Sequence, residues 1–274
     1  MSGPDSTVTV ALLFPDLLGT YGDSGNAVVL AQRLRWRGLA SEVVTVHSGE
    51  PVPAGCQIYV VGGGEDLPQV LAARQLGPPA GGVLQQAVDG GAAVLAVCAG
   101  LQILGASFVY GPDGTEADGL GLVDCVTRRG IGPRAVGEIV VDPVGELGLP
   151  LLTGYENHAG ATTVGSGASA AGRVRHGVGN GDGSGTDGVW AGRVFGTYLH
   201  GPVLARNPAL ADLLLGWVVG ALDPLDDREQ LALREERLAA AAGGEGRRPR
   251  RIGRAGGAER GAWRRGAKSS APIA

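Results

Sequence analysis

The feature that most constrains this chain is an unbroken apolar run, Ala92–Val97, that ends on Cys98 and passes directly into the helix-forming stretch Ala99–Gly105. Six apolar residues without polar alternation belong on a strand covered on both faces, the situation of an interior strand in a parallel sheet. Earlier segments repeat this grammar. Thr7–Phe14 reads as a buried strand ended by Pro15, and Glu42–Val46 and Gln57–Val61 read as two further short strands. Between them Asp23 or Ser24 is placed to cap a helix over Asn26–Arg37, which Gly38 ends. Gln69–Gln75 and Val83–Asp89 follow as helical stretches separated by a Gly/Pro break at 77–82. The alternation predicts an α/β fold, with a mostly parallel central sheet flanked by helices.

The second half changes character. Gly119–Cys125, Val136–Asp142, Thr153–Asn157, Arg173–His176 and Trp190–Thr197 are short strand candidates set among glycine turns, and are expected as antiparallel additions to the sheet. The Gly/Asp/Ser segment 180–188 reads as an exposed loop. Asn207 and Pro208 form a cap-and-first-turn pair for a helix whose apolar positions Leu210, Leu213, Leu214, Trp217 and Val218 share one face. This gives a domain over residues 1–222, a possible helix at 223–242, and a basic tail over 243–274.

Charge separates the tail from the rest. Residues 243–274 carry nine basic and two acidic side chains, a net +7, whereas residues 1–242 carry 14 basic and 25 acidic ones, a net −11. An acidic body argues against nucleic acid as a partner, and the tail's composition reads as a solvated, disordered extension. No stretch of 18 apolar residues predicts a membrane span, and Met1–Ser6 has no signal-peptide character. Three cysteines at unrelated spacings indicate neither a disulfide framework nor a zinc site, as expected of a cytoplasmic protein. No G-x-x-x-x-G-K-[ST] occurs, so ATP chemistry is not encoded in this chain.

Cys98 has the context of a nucleophile. A residue on a tight strand-to-helix turn projects above the carboxyl edge of the sheet. Its sulfur then lies beside unpaired helix N–H groups that favour an anion, and the Ala99 N–H points to where an oxyanion would form. Cys56 and Cys125 lack this setting and read as buried, inert thiols. A nucleophilic cysteine needs a base within reach. His200, in Gly196-Thr197-Tyr198-Leu199-His200-Gly201-Pro202, ends a strand-like run about 100 residues downstream, far enough to return to the same sheet edge. His158 is the alternative base. His47 and His176 read as peripheral. Gly62, Gly63 and Gly64 follow the strand Gln57–Val61 and let backbone N–H groups approach a ligand.

Val97-Cys98-Ala99-Gly100-Leu101-Gln102-Ile103-Leu104-Gly105 resembles the nucleophile elbow of the class I glutamine amidotransferases, whose fold is flavodoxin-like, and most of all their cobyric-acid-synthase-like branch. The His200 segment resembles that family's Y-x-H-G motif. Ala96 and Ala99 stand where glycines are usual, and Pro202 stands where the common pattern has glutamate. The third member of a catalytic triad is therefore not in its usual place. Either Cys98 and His200 act as a dyad, or a carboxylate comes from elsewhere, a partner chain included. The resemblance implies that Gly63 or Gly64 supplies the second oxyanion donor and that Gln102 helps hold substrate. Glutamine carries an α-carboxylate, which a guanidinium matches in two parallel hydrogen bonds. Arg134 is the candidate, and Arg128 and Arg129 compete with it.

Pro15-Asp16-Leu17-Leu18-Gly19-Thr20-Tyr21-Gly22-Asp23-Ser24-Gly25-Asn26 and Gly154-Tyr155-Glu156-Asn157-His158-Ala159-Gly160 resemble motifs of the glutaminase subunits of lipid II isoglutaminyl synthases, and the likeness spans about residues 8–220. It implies L-glutamine as substrate and a heterodimer with a Mur-ligase-like synthetase. That partner would bind ATP and Mg²⁺, reach lipid II at the inner face of the membrane, and amidate the D-glutamate α-carboxylate. No cofactor is then expected on this chain. The region before residue 7 is too short for the ATP-binding domain that corrinoid synthases carry. Three other readings stay open: a glutaminase serving another synthetase, a cysteine hydrolase acting on γ-glutamyl peptides, and a silent scaffold subunit.

Overall fold

A computed structural model of the chain describes residues 7–77, 80–111 and 113–244. The first half alternates strand and helix: β1 (Val8–Leu13), α1 (Gly25–Trp36), β2 (Ser41–Val46), β3 (Ile58–Val61), α2 (Asp66–Leu76), α3 (Ala80–Asp89), β4 (Ala93–Val97) and α4 (Ala99–Leu104). The second half contains β5 (Ser107–Tyr110), β6 (Thr115–Asp118), β7 (Cys125–Arg129), β8 (Ala135–Pro143), β9 (Leu152–His158), β10 (Gly160–Val164), β11 (Gly172–His176), β12 (Thr186–Asp187), β13 (Val189–Ala191) and β14 (Val194–Thr197). Three helices close the order: α5 (Val203–Arg206), α6 (Pro208–Val219) and α7 (Arg228–Gly244).

The central sheet has the order β13-β14-β4-β3-β1-β2. All its pairings are parallel except the β13–β14 edge. Every residue of β3, β4 and β14 is buried, which explains their lack of polar alternation. α6 packs its Leu210 and Leu214 into the core at 0% exposure. Because β14, β4, β3 and β1 are parallel neighbours, the segments that leave their C-terminal ends emerge along one rim, where open α/β sheets place their ligands.

Several expectations for the second half are corrected. Of the expected antiparallel additions, β13 joins the central sheet antiparallel and β14 joins it parallel, and the other strands build two separate four-stranded sheets, β10-β7-β5-β6 and β12-β11-β8-β9. Gly119–Cys125 is not a strand before Cys125. The N–H groups of Leu120, Gly121, Leu122 and Val123 instead donate to Ile103, Gly105 and Leu104 carbonyls at 2.8–3.1 Å, closing the end of α4. Trp190–Thr197 is two strands, because Gly192 turns the chain at φ +55°. Asn207 does not cap α6 with its side chain. It spends its amide on the Thr153 N–H and on the Thr153 and Val203 carbonyls, tying β9 to α5. Of the possible helix at 223–242, residues 223–227 are not helical and α7 runs from Arg228 to Gly244, and the rest of the basic tail lies outside the described residues.

Candidate active site

Cys98 sits between β4 and α4 with φ +52° and ψ −108°, a conformation that L-residues rarely adopt. Holding it costs about 1–3 kcal/mol, a strain that proteins retain mainly at functional positions. Its N–H donates to the Thr197 carbonyl at 2.8 Å, so β14 braces the turn directly. Gly100 is required beside it. A Cβ there would lie 2.5 Å from the Val61 carbonyl oxygen, so only glycine lets α4 start this close to β3.

His200 arrives from the end of β14. Its backbone exchanges two hydrogen bonds with Tyr155 of β9, at 2.8 and 3.1 Å. The side chain is 1% exposed. Its Nδ1–H donates to Asp23 Oδ2 at 2.9 Å. Nε2 is buried and has no hydrogen-bond partner among the described residues, and His200 Cε1 and Cys98 Cβ both border the space beside Gly63, 2.6 and 3.3 Å from where a Cβ would stand there. Burial opposes the charged imidazole, but the hydrogen bonds and charges of Asp23 and Cys98 outweigh it and raise the pKa to about 10. The charged form of the His200 imidazole is thus favoured beside Cys98.

Asp23 is the carboxylate that the sequence did not locate. Read as a helix cap, it makes no capping bond, and neither does Ser24. It is fully buried, and its Oδ2 accepts from both His200 and the Gly63 N–H, each at 2.9 Å. The third group is therefore supplied within the chain, from the β1–α1 loop. The three glycines after β3 make this approach possible. Added Cβ atoms would lie 2.0 Å from the Leu18 carbonyl oxygen at Gly62, 2.6 Å from His200 Cε1 at Gly63, and 2.7 Å from the Leu17 carbonyl oxygen at Gly64.

The expected oxyanion donors consequently divide. Gly63 has given its N–H to Asp23 and serves to place the carboxylate. Gly64 and Ala99 line the same cavity as Cys98, and among the described residues neither N–H has another partner. That cavity has a volume of about 240 Å³. It is smaller than the ~300–1,000 Å³ typical of drug-sized ligands and suits an amino acid. Arg129, Arg134, Glu65 and Asp66 all line it, with Arg129 Nη1 donating to the Gly111 carbonyl at 2.9 Å and Asp66 accepting from the Gly111 N–H at 3.0 Å, while Arg128 is not among the lining residues. Two cations and two anions around one cavity complement a zwitterion. Gln102 also lines it, but its amide is already engaged, accepting from Gln69 Nε2 at 2.8 Å and donating to the Tyr198 hydroxyl at 3.0 Å. Its second amide N–H has no partner among the described residues.

His158, the alternative base, lines the cavity as well. It is stacked on Tyr198 with ring centroids 3.9 Å apart, and its Nδ1 is paired with the Gly160 carbonyl at 3.1 Å. Its Nε2 lies 3.7 Å from Glu156, whose carboxylate is occupied by the Val178 and Gly179 N–H groups. Cys125 is buried, which pushes its thiol up to about 12, and burial raises the Cys56 thiol too. Sequence reasoning did not pair Asp23 with His200 or Gln69 with Gln102; Asp23 lies in the first of the two motifs quoted for their resemblance, which was the available signal.

Residues 9–208 match the family described as the CobB/CobQ-like glutamine amidotransferase domain. The chain is 36% identical over 212 residues to the lipid II isoglutaminyl synthase (glutamine-hydrolyzing) subunit GatD of Staphylococcus aureus strain N315, covering 76% of this chain and 83% of that protein. It is 32% identical over 207 residues to the GatD of Streptococcus pneumoniae strain R6, covering 74% and 77%. A probable cobyric acid synthase of Methanoregula boonei is 33% identical over 180 residues, covering 58% of this chain but 31% of that protein. Among solved structures, the glutaminase domain of Trypanosoma brucei CTPS with bound acivicin superposes with a TM-score of 0.49 at 13% identity, covering 80% of this chain and 96% of that one.

Proposed function

Since the chain belongs to the CobB/CobQ-like glutamine amidotransferases and, within them, to the GatD subunits of lipid II isoglutaminyl synthases, we propose that it hydrolyses L-glutamine at Cys98 to supply ammonia to a synthetase subunit. The observation that carries this reading is that His200, paired with Asp23, and Cys98 meet around Gly63, while Cys98 shares a cavity with Gly64 and Ala99. In this reading Arg134 takes the substrate α-carboxylate, with Arg129 in the lining of the same cavity, and Glu65 or Asp66 of that lining takes its α-ammonium.

The Cys98 thiolate attacks the side-chain amide carbon. The carbonyl oxygen becomes an oxyanion held by the Gly64 and Ala99 N–H groups, each worth roughly 3 kcal/mol in barrier. As the tetrahedral intermediate collapses, the C–N bond breaks and the His200 imidazolium gives its proton to the leaving nitrogen, so ammonia departs and a thioester remains. Neutral His200 then takes a proton from water, whose oxygen attacks the thioester. The C–S bond breaks, glutamate leaves, and thiolate and imidazolium are restored. Asp23 stays ionised throughout and stabilises the charged imidazole.

Released ammonia is largely protonated at neutral pH and is then no nucleophile, which favours a sealed heterodimer with the acceptor enzyme. The partner in this reading is a Mur-ligase-like synthetase that brings ATP and Mg²⁺, activates the D-glutamate α-carboxylate of the lipid II stem peptide, and works at the inner face of the membrane. Among the described residues no helix is long and apolar enough to cross a membrane, so contact with lipid II is left to the partner.

The test is ammonia release from glutamine by the assembled complex, with mass spectrometry for a thioester on Cys98. Cys98→Ala should abolish release and leave assembly intact. Full activity in that variant would end the nucleophile assignment, and cleavage of γ-glutamyl peptides without ammonia release would replace the function.

A further inference from the structure

The substrate anchor and the base are joined by a continuous set of contacts outside the triad. Arg134 directs the Nε–Nη2 side of its guanidinium at Asn157, donating to the side-chain oxygen at 2.5 Å and to the backbone carbonyl at 3.2 Å. This leaves the terminal edge, with Nη1, for a carboxylate in the cavity. The amide nitrogen of Asn157 donates to the Tyr21 hydroxyl. The Tyr21 ring stands edge-on to the His200 ring, with centroids 4.9 Å apart at 60°. Tyr21 itself has φ +62°, a costly backbone conformation for an aromatic residue, although 41% of it is exposed.

The backbone closes the same loop. Asn157 belongs to β9, and two residues earlier Tyr155 of that strand makes the paired backbone hydrogen bonds to His200. One strand therefore fixes both the arginine that receives the α-carboxylate and the histidine that serves the amide. Glutamine must span the distance between them.

We propose that Tyr21 and Asn157 are specificity-determining positioning residues, which hold Arg134 at a set distance from His200 so that the site recognises an amide by its separation from an α-carboxylate. The proposal rests on the glutaminase reading. Neither residue touches the reacting atoms. Their contribution is to keep the guanidinium oriented before substrate arrives, which removes an ordering cost from binding. Tyr21→Phe keeps the ring on His200 and deletes only the link to Asn157. Asn157→Ala deletes both acceptor and donor.

The experiment uses the assembled complex with two substrates, L-glutamine and 4-aminobutanamide, which is glutamine without its carboxylate. Both variants should raise KM for glutamine by roughly fivefold or more, with a smaller change in kcat. The ratio of kcat/KM for glutamine to that for 4-aminobutanamide should fall by a similar factor. The double variant should be no worse than Asn157→Ala alone, because the two act through one contact. A general disturbance of folding would lower both substrates together and leave the ratio unchanged, which would overturn the proposal. So would a Tyr21→Phe variant with wild-type constants. Failure of the wild-type complex to hydrolyse glutamine would sink the glutaminase reading and this inference together, whereas wild-type hydrolysis with an unchanged ratio in the variants would sink this inference alone.

Discussion

Replacing Asp23 with asparagine removes one buried negative charge and puts an NH2 group where Oδ1 is buried without a partner among the described residues. The carboxylate is fully buried, and its Oδ2 accepts from His200 Nδ1–H and from the Gly63 N–H at 2.9 Å each. An asparagine of the same shape presents its oxygen to both donors, so the tautomer and the loop are kept. What is lost is the extra stabilisation of the imidazolium. The difference between a charge-assisted and a neutral hydrogen bond sets a lower bound of about 1–2 kcal/mol. The attraction of two unit charges about 4 Å apart at an effective dielectric of ~20 sets an upper bound of about 4 kcal/mol. At 1.36 kcal/mol per decade this is roughly a 10- to 1,000-fold loss in the rate of acylation. The pH dependence carries the sign. Asp23 and Cys98 raise the His200 pKa against the effect of burial, so removing the Asp23 charge lets the imidazolium lose its proton at lower pH. The pH range in which His200 is charged then closes from the alkaline side. The assay is ammonia release by the complex across pH 6–9, together with the rate of Cys98 alkylation by iodoacetamide and a thermal melt. A variant within threefold of wild type, with an unshifted alkaline limb, would refute the assignment of Asp23 to the triad. A drop in melting temperature without a change in the pH profile would return Asp23 to a structural role.

Two further substitutions read other parts of the site. Gly63→Ala places a Cβ 2.6 Å from His200 Cε1 and 3.0 Å from Asp23 Oδ2, which should displace the imidazole and lower kcat on the order of 10²-fold while the circular dichroism spectrum is retained; a loss under twofold would show that the loop yields freely. Asp187 is buried, which pushes its pKa up to about 6, against the hydrogen bonds of Thr197 and Tyr198. The folded state then binds its proton more tightly than the unfolded one, so stability falls as pH rises from about 4 to about 6, by up to about 3 kcal/mol. Asp187→Asn should therefore melt above wild type at pH 8 and level with it near pH 4, and a gap of equal size at both pH values would exclude this account.

The first half of the fold was legible because its strands are covered on both faces, and apolar runs bounded by glycine and proline have one sensible reading. Val94, Leu95 and Val97 are all at 0% exposure, as a buried central strand requires. The second half was less so. Its strands are short, and the residues that shape them are used for hydrogen bonds that periodicity does not report. Leu120 and Leu122 look like strand residues, yet their N–H groups finish a helix. Asn207 looks like a cap, yet its side chain joins two elements 54 residues apart. In both cases a local preference was overridden by a distant partner.

The site divides along the same line. A nucleophile on a strand-to-helix turn is a local signal, and so is a glycine loop after a strand. The pairing of Asp23 with His200 spans 177 positions and follows only from the strand order. With β1 beside β3, β3 beside β4, and β4 beside β14, the loop after β1 is carried to the rim where Cys98 and His200 already meet. Asp23 reaches the imidazole because Gly62, Gly63 and Gly64 have no side chains to hold that loop away. The glycines that looked like an oxyanion loop thus do two things at once. Gly64 lines the cavity with an N–H that has no partner among the described residues, and Gly63 fastens the carboxylate that sets the charge of the base. A proline two residues after His200 is tolerated for this reason: the acid usually placed there has been replaced by one from the opposite end of the chain, and the geometry it must satisfy is imposed by the sheet.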